Sequence, residues 1–374
     1  MVSEPVQPMT ATEIASALVR IPSVNPDGDP GTPHTGELAC AEWVEGFLSR
    51  IGAVACLREV LPGRPNVVAR FPTDGEGKPR LLFAPHTDTV SVTGMTIEPF
   101  GGEVREGKLF GRGASDTKGP MAAMLWALRE AAPRISALPY EIWFAGLAGE
   151  EAGQHGAKAL AAQQAFDFVI AGEPTGLDVV HAHKGSAWLS LRTTGVAAHA
   201  SKPECGENAI YKMCEAIGCL RQDVIPVLRS LADPVLGHPT LSVGTIAGGS
   251  KINIVPDSCE AMVDMRTIPG QDIAVVLELL RARVPDIGIS VRGSAPLFTD
   301  PAHPLIRTLQ SCGAGLAGAP WFCDAAVFAE RGCAAVALGP GSIAQAHTCD
   351  EHILVSDLEA GAQFFLRFLD ALRP

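Results

Sequence analysis

A chain of 374 residues, 47% hydrophobic and with 39 glycines, is too long for one small core and too apolar to stay disordered, so two domains are expected. Its formal net charge of −12 argues against nucleic acid or an anionic membrane surface as a partner. Ten scattered cysteines without a C-x-x-C pair fit a reduced, cytoplasmic compartment and speak against a zinc–thiolate cluster. The opening "MVSEPVQPMTATE" lacks the basic-then-apolar order of a secretory leader, and no apolar run approaches the length of a membrane span.

In chain order, Thr10-Ala11-Thr12-Glu13 predicts a capping box and a short helix ending before Pro22. A second helix is expected from about Thr35, with Leu38, Ala41, Val44, Leu48 and Ile51 on one face and Gly52 as its stop. Strands are expected in "AVACLREV", "PNVVARF" and "RLLFAPH", then a helix in "TKGPMAAMLWALREAA", the strand "YEIWFAGLA", a further helix, and the strand "FDFVIAGE". Helices alternating with apolar strands predict an α/β sheet covered on both faces. From "AHKGSAWLSLRTTG" to "GISVRG" the order becomes strand, helix, two strands, helix, strand. That order suggests a small α+β unit with a four-stranded antiparallel sheet. Sheet and helix alternate again from about Ser294. The expected organisation is a catalytic domain built from residues 1–177 and 294–374, with residues 178–293 inserted as a second domain.

Four stretches end apolar runs or open helices with acids and a histidine. "LLFAPHTDTV" presents His86 and Asp88, which point to one side if the strand continues. A metal-bound histidine normally hydrogen-bonds a carboxylate through its other nitrogen; the alternative is a core histidine paired with an aspartate. "LFGRGASDTKG" carries Asp116, "WFAGLAGEEAG" carries Glu150 and Glu151, and "FVIAGEPTG" carries Glu173. Each alone could be a helix cap or a solvated turn. Together, at the strand ends where α/β sheets build sites, they would repel one another unless cations neutralised them. A second histidine, His347, follows late in "AVALGPGSIAQAHTCDEHI". Imidazole and carboxylate without cysteine suit zinc, with cobalt or manganese as substitutes.

The ordered set "HTDTV", "GRGASDTKG", "GEEAG", "GEPT" and "QAHTCDE" resembles the acetylornithine deacetylase and succinyl-diaminopimelate desuccinylase family, which also holds glutamate carboxypeptidases and aminoacylases. The resemblance implies a zinc-peptidase-like catalytic domain with a ferredoxin-like lid and dimerisation domain. It implies two zinc ions per chain, one held by His86, Asp116 and Glu173, the other by Asp116, Glu151 and His347. Asp88 would orient His86, and Glu150 would be the general base. The peptide after Asp116 would be cis. In "GVAAHASKPECGENAI" it implies that His199 reaches the partner subunit's site and stabilises an oxyanion. In "GGSKINIVPD" and "DMRTIPG" it places Asn253 and Arg266 on the substrate, the guanidinium suiting a carboxylate.

The expected activity is hydrolysis of a linear amide: removal of an acetyl or succinyl group from a small amino acid such as N-acetylornithine, by a cytoplasmic homodimer. A metallocarboxypeptidase or dipeptidase on the same scaffold is the alternative. A metal-binding protein without catalysis is a third reading, against which Glu150 stands, since a metal holder needs no base beside its ligand. "AHKG" favours the deacetylase branch. "FCDAAVF" departs from that branch, and its Asp324 looks like the desuccinylase and carboxypeptidase relatives.

Overall fold

The structure, a computed structural model, describes residues 9–28 and 32–373. The start of the opening stretch read for a leader, through residue 8, lies outside the described residues. Among the described residues no helix is long and apolar enough to cross a membrane. The chain divides into two compact units, one of Met1–His181, Phe298–Ala317 and Cys323–Pro374, the other of Ala182–Leu297 and Gly318–Phe322. Residues 294–297 and 318–322, expected in the catalytic domain, group with the second unit, and residues 178–181, expected in the insert, group with the first.

Helix α1 (Ala11–Val19) opens on the capping box: Thr10 Oγ1 accepts from the Glu13 N–H, and the Glu13 carboxylate accepts from the Thr10 N–H at 2.7 Å. Helix α2 (Leu38–Arg50) begins later than expected, because Thr35 is bridged to Val24 and Gly36 takes φ 99°, which no right-handed helix accommodates. Leu38, expected on its apolar face, is consequently 41% exposed. Strands β1 (Val54–Leu61), β2 (Arg64–Arg70) and β3 (Arg80–Pro85) match the apolar runs. Strands β4 (Glu103–Arg105) and β5 (Lys108–Phe110) pair as an unexpected hairpin. Helix α3 (Lys118–Ile135), β6 (Glu141–Gly146), α4 (His155–Gln163), β7 (Phe168–Gly172) and β8 (Val179–His183) follow.

The second unit contains β9 (Gly185–Thr194), α5 (Ala209–Cys219), α6 (Ile225–Ser230), β10 (Thr240–Gly248), β11 (Ser258–Thr267), α7 (Ala274–Arg283) and β12 (Gly288–Ser294). Its strands pair antiparallel in the order β10-β11-β9-β12. Alternation with period two turns Leu189 and Leu191 of β9 and Ala261, Val263 and Met265 of β11 onto Met213 and Ala216 of α5 and Leu280 of α7.

The chain then forms β13 (Leu297–Phe298), α8 (Pro304–Ser311), β14 (Leu316–Ala319), α9 (Ala325–Ala329), β15 (Ala334–Ala337), β16 (His352–Leu354) and α10 (Val355–Ala371). In the first unit β6, β3, β7 and β15 lie side by side and parallel, with β2 and β1 added antiparallel beyond β6. Strand β15 enters between β7 and β8. Leu81 and Phe83 of β3 face a core shared with α3 and α10, where Phe83 meets Phe365 and Phe368 edge-on. Trp143 of β6 points the other way, onto Phe166, which meets Phe328 of α9. Both faces of the mixed sheet are thus covered. Strand β16 joins β5 and β4 in a separate three-stranded sheet.

Candidate metal centre

Parallel strands deliver their carboxyl ends to one edge, and the polar residues marked by sequence lie there. His86 follows β3, Glu150 and Glu151 lie in the turn after β6, and Glu173 follows β7. His347 comes from the loop after β15, and Asp116 from the loop between β5 and α3. His86 Nε2 lies 2.9 Å from Asp116 Oδ1, and His347 Nε2 lies 3.4 Å from Asp116 Oδ2 and 3.2 Å from Glu151 Oε2. Asp116 therefore stands between the two imidazoles, one oxygen toward each. Ligand atoms of His86, Asp116 and Glu151 lie within 4.8 Å of one another. Glu173, expected with His86 and Asp116, is outside that tight group but buried, with Asp116, Asp324 and Glu151 among its charged neighbours. The Asp116–Thr117 peptide is cis.

Asp88 faces His86 and also holds the turn after β6. His86 Nδ1 lies 2.9 Å from the main-chain oxygen of Asp88 and 3.5 Å from its carboxylate. The carboxylate also collects donors from the turn after β6. Oδ1 accepts the N–H groups of Gly149 and Glu150 at 3.1 and 3.0 Å, and Oδ2 accepts that of Glu151 at 3.0 Å. Asn25 Nδ2 donates to Oδ2 at 2.7 Å. A buried carboxylate so surrounded fixes the backbone from which Glu150 and Glu151 project.

The electrostatics fit a cation-binding site. Burial, then the charge of Glu173, pushes the Glu150 carboxyl well above its ordinary value. Burial, then Asp116, pushes Glu151 up to about 7, and Glu151 Oε1 is buried with no hydrogen-bond partner among the described residues. Glu173 is raised in the same sense, by burial and then Asp116. Asp324, buried beside Gln154, is pushed up to about 7 by burial. Burial would also raise Asp116, but hydrogen bonds with His347 and His86 outweigh it and hold its carboxyl low. Those with Asp116 and Glu151 push His347 up to about 10. Several buried acids with too few positive partners, a stranded carboxylate oxygen and two imidazoles on one aspartate make a donor set that divalent cations would satisfy.

Two residues that sequence reasoning did not single out support these candidate ligands. Glu351, fully buried, accepts the N–H groups of Ser115 and Asp116 and pairs with Arg112 at 2.7 Å. Asn25 holds Asp88 as described. Glu351 lay within the quoted "QAHTCDE", and its distance of four residues from His347 was the available signal. Nothing in "SVNPDG" distinguished Asn25.

The remaining expected residues belong to the second unit. His199 is exposed, with Nδ1 2.7 Å from Ser201 Oγ. Asn253 is exposed, and its main-chain oxygen accepts from the Ala200 N–H. Arg266, half-buried, donates through Nε to Asp264 at 2.9 Å and lies over the Phe322 ring.

Known proteins share this architecture. The chain is 34% identical to the acetylornithine deacetylase of Proteus mirabilis (strain HI4320) over 372 residues, covering 94% of this chain and 93% of that protein. Its fold matches aminopeptidase PepT from Bacillus cereus with a TM-score of 0.77 and 21% identity, over 97% of this chain and 98% of that one. It also matches the Bacillus subtilis YXEP protein, described as a dinuclear metal-binding peptidase, with a TM-score of 0.68 and 13% identity over 96% of each chain. The sequence profile of Peptidase family M20/M25/M40 covers residues 82–371, a span holding every side chain placed at the strand ends above, and the chain belongs to that family of amide-bond hydrolases.

Proposed function

We propose that the chain is a two-zinc deacylase that removes an acetyl or succinyl group from the amine of a small amino acid such as N-acetylornithine, with cobalt or manganese able to replace zinc. The observation that carries this reading is the placement of Asp116, one oxygen toward His86 and the other toward His347, with Glu151 on the second imidazole. His86, Asp116 and Glu173 are assigned to one ion, and Asp116, Glu151 and His347 to the other. When bound, the ions would acidify a water and polarise the scissile carbonyl.

The protein's own groups do the rest. Glu150, projecting from the turn that Asp88 fixes, takes the water's proton and returns it to the leaving amine. A carboxyl that burial raises above its ordinary value is a stronger base than an exposed one. The second unit is assigned as a lid and dimerisation domain. Its His199 stabilises the oxyanion in the partner's site, while Arg266 and Asn253 bind the substrate, the guanidinium taking a carboxylate. The identity with the Proteus mirabilis deacetylase supports the substrate class. Asp324 favours a second reading, a metallocarboxypeptidase or dipeptidase, because that acid departs from the deacetylase pattern.

A panel of N-acetyl, N-succinyl and dipeptide substrates, assayed with added zinc, separates the two readings. Turnover confined to N-acyl amino acids is expected. Turnover confined to dipeptides would replace the deacylase assignment with the peptidase one.

A further inference from the structure

We infer that Glu351 is a positioning residue that fixes the backbone of Asp116 relative to His347, and through it the site of the ion those two residues share. The inference rests on the two-ion reading above. Glu351 is fully buried, and its carboxylate is engaged from three directions. Oε1 accepts the N–H groups of Ser115 at 2.9 Å and Asp116 at 3.0 Å, and Oε2 accepts from Arg112 Nη1 at 2.7 Å. Arg112, itself buried, also donates through Nε to the Ser91 carbonyl at 3.1 Å.

The backbone repeats the connection. The Gly111 N–H donates to the Glu351 carbonyl at 3.0 Å, and the next residue, His352, opens β16 opposite Phe110 of β5. The Thr96 N–H donates to the Cys349 carbonyl at 2.8 Å, tying the loop between His347 and Glu351 to the same region. From Glu351, then, the main chain runs back to His347 while the side chain reaches the backbone of Asp116. His347 has φ 62°, a left-handed value that a non-glycine residue holds only when its surroundings over-determine it.

A buried ion pair alone would not require this arrangement, since an apolar pair of similar volume stabilises a core at least as well. An acceptor on the amide of a ligand residue does require it. Metal–ligand distances tolerate only about 0.2 Å, so a small drift of the Asp116 backbone would spoil an ion shared with His347.

The test compares two double variants that both lack the ion pair and differ only in the acceptor: E351Q/R112M and E351L/R112M. Cobalt(II) is titrated into each and into wild type after metal removal, followed by visible absorption and calorimetry. The glutamine variant should bind two ions as wild type does. The leucine variant should bind the second ion about 10–100-fold more weakly, the range for removing a group that orients a ligand, with the first ion less affected. Equal second-ion affinity in the two variants overturns the inference, whether both keep the ion or both lose it. If E351L/R112M does not fold, E351Q/R112M still decides, because loss of its second ion would assign the effect to the ion pair. Wild type binding fewer than two ions would instead overturn the two-ion reading, a result visible before any variant is made.

Discussion

At the end of β6, adjacent carboxylates meet different surroundings. Glu151 faces His347 at 3.2 Å, while Glu150 is assigned to proton transfer. Glu150→Ala should leave metal content intact and lower kcat by about 10²–10⁴, the usual contribution of a positioned general base. Glu151→Ala should lose metal as well as turnover; elemental analysis alongside kinetics checks both. A second expectation concerns pH. Glu151 has its carboxyl raised to about 7 and His347 its imidazole to about 10. These two groups therefore bind more protons folded than unfolded, from the ordinary carboxylate range up to about pH 10, and the stability they contribute falls as pH rises across that window. Metal-stripped protein should accordingly unfold at lower denaturant at pH 8.5 than at pH 5.5, and added zinc should narrow the difference. Equal midpoints in stripped protein would refute the charge balance described. The candidate side chains at the strand ends were legible because imidazole and carboxylate are rare at the ends of apolar strands. Asn25 and Glu351 were not, because the groups they satisfy, the Asp88 carboxylate for Asn25 and the N–H groups of Ser115 and Asp116 for Glu351, lie 63 and up to 236 positions away, and a one-dimensional pattern carries no record of those.

Among the elements, α3 shows how closely the helices approach the site. A Cβ at Gly119 would overlap the carbonyl oxygen of Ala114, two residues before Asp116, and come within 2.9 Å of Ile353 Cδ1. Gly119→Ala should therefore destabilise by about 1–3 kcal/mol, as overpacked substitutions do, and weaken metal binding by displacing the Asp116 loop. Thermal melts with and without zinc would check this. Phe83→Ala, three residues before His86 but turned onto Phe365 and Phe368 in the core, should cost about 3–5 kcal/mol with metal stoichiometry unchanged. The long elements were readable from periodicity alone. The three-residue strands β4, β5 and β16 were not, since segments so short have no period to read and β16 finds β5 from far along the chain. The late start of α2 escaped for a related reason: the bridge from Thr35 to Val24 belongs to the folded molecule and outcompetes the local helical pattern.

For the whole molecule, the proposal makes an active site depend on two chains. Mixing His199→Ala with Glu150→Ala protein, after subunit exchange is verified, should restore part of the activity, because a mixed dimer contains one site with both residues intact. No restoration, or a fully active monomer, would remove His199 from the partner's site. The alternation of strands and helices made the class of fold readable, and the ordered motifs made the family readable. Substrate choice was not, because the residues proposed to bind substrate, such as Asn253, are exposed in the second unit and no local pattern encodes their surroundings. The entry of β15 between β7 and β8 has a consequence for the order of synthesis. A ribosome releases β7 and β8, then the whole second unit, before Ala334–Ala337 emerges to fill the gap. Throughout that interval the nascent sheet carries an unpaired parallel edge, the kind of surface chaperones shield, and the loop bearing His347 does not yet exist. On the two-ion assignment, the ion shared with His347 is therefore acquired late in the life of each chain, by molecules in which β15 has already closed the sheet.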